Sequence, residues 1–427
     1  MADICVVGTG YVGLSCGACL SSLGHNVTCV DIDQNKIDSI NRGEIPIMET
    51  GLKELVDEGR SRSLLSFTTD IEEGLASAEF IFLCLATPQS EDGSADLSTL
   101  MSSVKTIASF VKPNAVVITK STVPIGTFFD IEKVLQRPDV SLASNPEFVR
   151  EGSAVKDFLF PDRIVIGATS EVVSQRVATI YSAIDAPVLL TDPSSAEAIK
   201  HASNSFLAMK LSYINAIAVI CELYGADVLD VSKGIGLDHR IGAEFLTPGP
   251  GWGGSCFPKD TNALLYMARS AGYKFGLLGE AIEVNNVVQK RIIERILSSL
   301  DESISGKRIA VWGLTFKANT DDLRDSPAIQ IVSALLGLGA QIRCFDPTVR
   351  VIPPAIRQAE IVDSVESSCE GAELLLVLTE WNQFSQINPI AIAKKMTSKR
   401  IIDCRNILDP DTWSEAGFQY HGIGRSN

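Results

Sequence analysis

The sequence predicts an α/β protein with two Rossmann-like domains. Each has a parallel sheet, and the two are joined by a long central helix and a helical middle domain. Three observations predict this. Short β-rich runs alternate with helical patterns over the first 190 residues or so. A stretch of about thirty residues from Ser194 then contains no proline or glycine until Gly225, well beyond the usual globular helix. After Gly306 the strand–helix alternation returns and echoes the first half.

The chain has 427 residues, which calls for two or three domains. The expected division is 1–193, 194–302 and 303–427. With 45% hydrophobic and 21% charged residues the composition is that of a globular protein. No unbroken apolar run of about 18 residues is found, so no membrane span is expected. The start gives no secretory signal, because Asp3 comes at once and Ile4–Val7 runs straight into a glycine loop. Ten cysteines without paired metal spacing fit a reducing, cytoplasmic setting and no metal site. Cys16 and Cys19 form a C-x-x-C, but it has no second half and falls in a predicted helix, so it is read as helix packing. The net charge of −15 argues against nucleic acid as a partner. A small anionic ligand needs only a local cluster of cations and helix N-termini, and is not excluded.

In order along the chain, Asp3–Val7 is a strand and Gly8-Thr9-Gly10-Tyr11-Val12-Gly13 a loop. An apolar helix follows to about Leu23, Gly24 caps it, and Val27–Val30 is the second strand, ending in Asp31. Further strands are expected at Phe80–Leu85, Ala115–Thr119, Val140–Ala143, Ile164–Ile166 and Val188–Leu190. Ser194 and Glu197 read as a capping box, S-x-x-E, opening the long helix after Pro193. More helix lies on both sides of the Gly/Pro-rich loop Pro248–Gly254. Arg308–Gly313 is the first strand of the second half, and Ser326-Pro327 starts a helix that Gly339 ends. The echo is Gly24-His-Asn-Val27-Thr-Cys29-Val-Asp31 against Gly339-Ala-Gln-Ile342-Arg-Cys344-Phe-Asp346, with helix end, strand and terminal acid at the same spacing. Strands at Leu374–Leu378 and Arg400–Asp403 complete the second half.

The Gly8/Gly10/Gly13 loop has the form of a dinucleotide fingerprint. Glycines permit the tight turn and the close approach of a pyrophosphate, and the acid near twenty residues on accepts hydrogen bonds from the ribose. Asp31 stands there, and its charge would repel a 2′-phosphate, so NAD is favoured over NADP. The corresponding loop of the second half, Gly313-Leu-Thr-Phe-Lys317, has a lysine where close backbone approach needs glycine. It reads either as a site for a different phosphate ligand or as a structural repeat. Gly253-Gly254-Ser255-Cys256-Phe257-Pro258-Lys259-Asp260 places a cysteine on a loop at a helix start, where helix N-termini and lysines favour the thiolate. Asp260 is four residues on and shares its face. The other nine cysteines read as small core residues. Asn145-Pro146-Glu147-Phe148-Val149-Arg150-Glu151-Gly152 puts two carboxylates at the end of a parallel strand, the edge where α/β sheets bind ligands. Lys200 and Asn204 point one way from the long helix, though by itself a lysine there reads first as a solvated face. Ser121-Thr122-Val123-Pro124 and Ala86-Thr87-Pro88 are strand-end loops.

Together these motifs, in this order from Gly8 to Arg405, resemble the UDP-glucose/GDP-mannose dehydrogenase family. The carriers are GTGYVG, Thr87-Pro88, STVP, NPEFVREG, Lys200/Asn204, GGSCFPKD and GLTFKANTDDLRDSP. The resemblance implies a four-electron oxidation of a nucleotide-sugar C6 hydroxyl to the acid, using two NAD⁺. It implies that Cys256 is the covalent nucleophile. Lys200 and Asn204 would stabilise the oxyanion, Asp260 and Thr122 would position water, and Glu147 would be the general base. Gly8, Gly10, Tyr11, Val12, Gly13, Asp31, Lys36, Thr87, Thr122, Glu151 and Arg324 are expected at the cofactor. Glu147, Phe148, Val149, Lys200, Asn204, Gly253 and Phe257 are expected at the sugar nucleotide. Arg240 resembles an arginine that crosses a dimer interface to the sugar, and Lys317 and Arg405 resemble the cations on the phosphates. A homodimer or higher homo-oligomer is expected. Phe257 and the Asp238-His-Arg-Ile-Gly stretch resemble the UDP-glucose branch more than the GDP-mannose branch, which tends to carry leucine at 257. Val149 departs conservatively from the leucine common in the family. The competing readings are a GDP-mannose enzyme, a two-electron hydroxyacid dehydrogenase, and a non-catalytic nucleotide-sugar-binding protein.

Overall fold

The structure is a computed structural model and describes residues 1–425. It divides into two compact units. One is Met1–Ser203 with Asn262–Ala271, the other Asn204–Thr261 with the chain from Gly272 onward.

The first unit is built on an eight-stranded sheet: β1 (Asp3–Val7), β2 (Asn26–Val30), β3 (Leu65–Thr68), β4 (Phe80–Leu83), β5 (Val116–Thr119), β6 (Ser141–Ser144), β7 (Ile164–Gly167) and β8 (Val188–Thr191). Their order is β3-β2-β1-β4-β5-β6-β7-β8. Alternation decides why these runs are strands. Ile4 and Val6 of β1 enter one apolar cluster, and Cys5 and Val7 enter another on the opposite face. A strand buried on both faces must be apolar throughout, which is the sequence signature of a sheet covered by helices on each side. Crossing from β1 to β4, the order reverses beside β1, the switch point where ligands bind in such sheets. Asp31 immediately follows β2.

The second unit holds β9 (Arg308–Trp312), β10 (Gln341–Phe345), β11 (Glu360–Ile361), β12 (Leu374–Val377), β13 (Arg400–Asp403) and β14 (Gln419–Gly422). They form an all-parallel sheet in the order β11-β10-β9-β12-β13-β14. Ile309 and Val311 face one cluster, Ala310 and Trp312 the other. The echo between the halves is structural. Asp346 follows β10 as Asp31 follows β2, and it accepts the N–H of Leu314 at 2.8 Å much as Asp31 accepts that of Thr9.

Four findings depart from the sequence reading. Strands β3, β11 and β14 carry no continuous apolar run; all lie at sheet edges, where one side needs no burial. The β6–β7 pair is antiparallel, Ser144 opposite Gly167, in an otherwise parallel sheet. The capping box does not form. The long helix starts at Pro193, Asp192 accepts the N–H of Ser195 at 2.9 Å, and Glu197 turns to partners on another helix. Finally, the helix Pro193–Tyr224 is by length and composition able to cross a membrane, a test that buried core helices also pass. Its buried polar groups have protein partners: His201 binds the carbonyl of Val123 in the first unit, and Ser212 binds that of Ala281 in the second.

Candidate active site

In the first unit the glycine loop follows β1. Gly8 has φ +96°, and a Cβ there would lie 2.5 Å from the carbonyl oxygen of Cys84; at Gly13 it would lie 1.8 Å from that of Gly8. Side chains are excluded at both places by backbone. At Gly10 a Cβ would meet nothing within 4 Å, so this glycine keeps the loop open toward a ligand rather than toward protein. The helix Tyr11–Ser22 has Gly10 at its cap, no side-chain cap and no acid in its first turn. Such an N-terminus favours an anion. These residues fit a dinucleotide pyrophosphate. Val12 packs against the sheet core.

Asp31 accepts from the N–H of Thr9 at 2.8 Å and its hydroxyl at 2.7 Å, and pairs with Lys36 at 2.9 Å. Burial opposes its ionisation, but these donors outweigh burial and hold the carboxyl down at about 2. The charge that would repel a 2′-phosphate is therefore fixed at neutral pH.

Three loops are tied together near the glycine loop. The Tyr11 hydroxyl donates to Glu49, and both Tyr11 and Glu49 accept the N–H of Gly152, at 2.6 and 2.8 Å. Thr87 donates to the carbonyl of Thr122 at 2.8 Å. Glu147 and Lys200 form a buried ion pair at 2.9 Å, and the other Glu147 oxygen accepts the N–H of Val149 at 2.7 Å. The Phe148 ring has the Arg163 guanidinium 3.7 Å from its centroid and Lys200 Nζ at 5.4 Å. Glu151 lies half-buried four residues past Glu147. The lysine whose plain reading was a solvated face is thus buried and paired with the expected base. Two residues went unnoticed in the sequence. Glu49 lies in a segment with no pattern to single it out. Lys120, the residue just before the STVP loop, is buried and donates to Asn145 at 3.0 Å. Burial lowers its pKa. A lysine inside an apolar strand end was the available signal.

In the second unit, Asn204 donates to Asp260 at 2.6 Å, and Lys259 donates to the other Asp260 oxygen at 2.5 Å. Cys256 immediately precedes the helix Phe257–Ser270, and its carbonyl accepts the N–H of Asp260 at 2.9 Å. It is partly exposed, whereas the other nine cysteines are buried. Phe257 packs on Trp252 and Phe245. A Cβ at Gly253 would lie 2.0 Å from the carbonyl oxygen of Asp325. Arg405 donates to the carbonyls of Leu378 at 2.9 Å and Phe316 at 2.8 Å, and Lys317 lies over the Phe316 ring. Arg324 and Arg240 each fork onto a nearby acid, Asp322 and Asp238, with their side chains largely exposed. Among the described residues no group of three or more His, Cys, Asp or Glu is placed to hold a metal ion.

An open glycine loop, an uncapped helix N-terminus and an ionised acid ending the next strand define the class: an NAD-binding Rossmann protein. The NAD binding domain of the UDP-glucose/GDP-mannose dehydrogenase family matches residues 2–185, its central domain 194–287 and its UDP binding domain 310–410. The chain belongs to this family. It is 44% identical to the UDP-glucose 6-dehydrogenase YwqF of Bacillus subtilis (strain 168), covering 99% of this chain and 98% of that protein. The structure of a UDP-glucose dehydrogenase from Pyrobaculum islandicum superposes with a TM-score of 0.91 at 32% identity, covering 100% of this chain and 98% of that one. A UDP-D-ManNAc dehydrogenase from Pyrococcus horikoshii gives 0.90 at 31% identity, with 99% of each chain covered. The fold is therefore shared by enzymes named for different sugars.

Proposed function

We propose that this enzyme oxidises UDP-glucose at C6 to UDP-glucuronate through a thioester on Cys256. The observation that carries the reading is Cys256 itself. It alone of the ten cysteines is partly exposed, at the head of a helix and behind two glycines. NAD supplies the hydride acceptor, twice for each sugar. The first oxidation turns the C6 alcohol into an aldehyde. The Cys256 thiolate adds to that carbonyl, and Lys200 and Asn204 stabilise the resulting oxyanion. The second oxidation turns the hemithioacetal into a thioester. Glu147 takes a proton from the attacking water, with Asp260 and Thr122 orienting it, and the carboxylate leaves as the thiolate is restored.

In this reading residues 1–193 hold NAD, through Gly8, Gly10, Gly13, Asp31, Lys36, Thr87 and Glu151, with Arg324 contributing from outside that segment. Residues 303–427 hold the nucleotide, Lys317 and Arg405 taking its phosphates. Phe148, Val149, Gly253 and Phe257 line the sugar. Residues 194–302 make a homodimer through the long helix, which brings Arg240 to the partner's sugar. The enzyme works in the cytoplasm. UDP-glucose is preferred to GDP-mannose because Phe257 and the Asp238–Gly242 stretch follow the UDP-glucose branch, and because the 44% identical relative bears that name.

The test counts NADH against limiting sugar. Two NADH per UDP-glucose are expected, with GDP-mannose turned over far more slowly. Cys256→Ser should lose steady-state turnover by several orders of magnitude while still binding UDP-glucose. A Cys256→Ser enzyme making two NADH per sugar at the wild-type rate would exclude the thioester route.

A further inference from the structure

The loop that carries Cys256 is pressed against the segment Gly313–Asp325, through the backbone of Arg324 and Asp325 and through one aromatic ring, Phe316. Gly254, two residues before Cys256, has φ +82°, and its N–H donates to the carbonyl of Arg324 at 3.0 Å. A Cβ at Gly254 would lie 2.7 Å from the Phe316 ring. The glycine is therefore held between that ring and the backbone of Arg324, with no room for a side chain. Such close packing transmits a displacement rather than absorbing it.

Besides a backbone bond from its N–H to the Asp322 carbonyl at 3.3 Å, Phe316 meets the two cations assigned above to the nucleotide phosphates. Lys317 Nζ stands 5.6 Å from the ring centroid. Arg405 donates through Nη2 to the Phe316 carbonyl, and its Nε pairs with Glu380 at 3.0 Å. The Arg405 guanidinium also lies 3.1 Å from where a Cβ would stand on Gly249, in the same Pro248–Gly254 loop. The roots of the segment are fixed. The Asp346 carboxylate accepts the N–H groups of Leu314 and Thr315, Ser326 donates to the Leu314 carbonyl at 2.7 Å, and Thr379 donates to that of Thr315 at 2.7 Å. Phe316 thus sits between anchored neighbours, with the phosphate cations at its ring and carbonyl and the nucleophile loop packed on the ring.

We propose that Phe316 is a positioning residue that couples occupation of Lys317 and Arg405 by a nucleoside diphosphate to the placement of the Cys256 thiol. The proposal rests on the reading of those two cations as phosphate contacts. A diphosphate draws the Lys317 ammonium from the ring and competes for the Arg405 donors. Both changes act on residue 316, and the ring passes them to Gly254. The thiol would then reach its reactive placement when the substrate's phosphates are seated.

The test uses the whole enzyme and UDP, which lacks the sugar that would cover the sulfur. The alkylation rate of Cys256 by iodoacetamide is read by peptide mass spectrometry with and without saturating UDP, and UDP binding is followed by calorimetry. In the wild type, UDP should change the rate by fivefold or more, on the order of what a modest coupling free energy gives. In Phe316→Leu, UDP should still bind while that ratio falls to near one, and kcat should fall more than KM for NAD rises. Phe316→Tyr, which keeps the ring, should restore the ratio; if Phe316→Leu fails to fold, Phe316→Met takes its place. An unchanged UDP effect in the ring-less variant, or no effect in wild type with UDP bound, overturns the coupling. Failure of the wild type to bind UDP overturns the phosphate reading itself, and the coupling with it.

Discussion

Asp31 concentrates four bonds on one carboxylate: the Thr9 N–H, the Thr9 hydroxyl and Lys36 on one oxygen, and the Asp33 N–H on the other. A ribose diol would take up the same oxygens, so cofactor choice depends on a charge already held in place. Asp31→Asn should raise KM for NAD roughly tenfold to a hundredfold, the cost of weakening charge-assisted hydrogen bonds. It should narrow the gap to NADP as well; initial rates with both cofactors check this, and an unchanged NAD/NADP ratio would count against the assignment. Asp31 was legible in the sequence because its meaning lies in local spacing: glycine loop, helix, strand, acid. The partly exposed position of Cys256 at a helix start was legible for the same reason. Glu49 and Phe316 were not, because each matters only through a contact with residues distant in the chain: Tyr11 and Gly152 for one, Gly254 and Arg405 for the other.

The long helix shows how an element can be rightly placed and wrongly capped. Its length followed from the absence of proline and glycine, but Glu197 does not close its own first turn. It accepts the N–H of Gly126 at 2.6 Å and of Phe128 at 2.9 Å, capping the helix Thr127–Leu135 from across the unit. With His201 on the Val123 carbonyl at 2.8 Å, it clamps the loop that carries Thr122. Burial pushes the Glu197 carboxyl up, the two N–H donors pull it down, and it comes to rest at about 7. An acid whose folded pKa lies above its unfolded value keeps a proton that the unfolded chain loses. Stability attributable to this group is therefore greatest below the unfolded pKa, falls as pH rises from about 4.5 to about 7, and is level above that, a loss on the order of 3 kcal/mol. Glu197→Gln cannot titrate, so its stability relative to wild type should improve between pH 5 and pH 8. Denaturant midpoints at the two pH values measure this; parallel curves for the two proteins would mean that Glu197 does not titrate in this window.

For the molecule as a whole, the part of the long helix in the second unit leaves Phe206, Tyr213 and Ile220 between 50% and 61% exposed, one every seven residues. Residues at that spacing share a face, and an apolar face of this kind calls for a partner helix. The proposed dimer supplies it with a second copy, and Tyr213→Arg should weaken association by at least tenfold, as removal of an aromatic anchor does. Mass by light scattering over a dilution series checks this; an unchanged dimer would place the interface elsewhere. The sequence by itself determined the two α/β halves, the helix between them, the cofactor loop with its acid, and the cysteine. These follow from periodicity and short spacing, which local backbone geometry imposes on any chain that adopts them. Only the tertiary structure decided that Lys200 is buried against Glu147, that Asn204 holds Asp260, that Glu197 caps a foreign helix, and that β7 runs against β6. Those outcomes depend on which distant groups share a desolvated space, where an unpaired polar atom is costly and the nearest available partner is chosen by the fold rather than by the sequence.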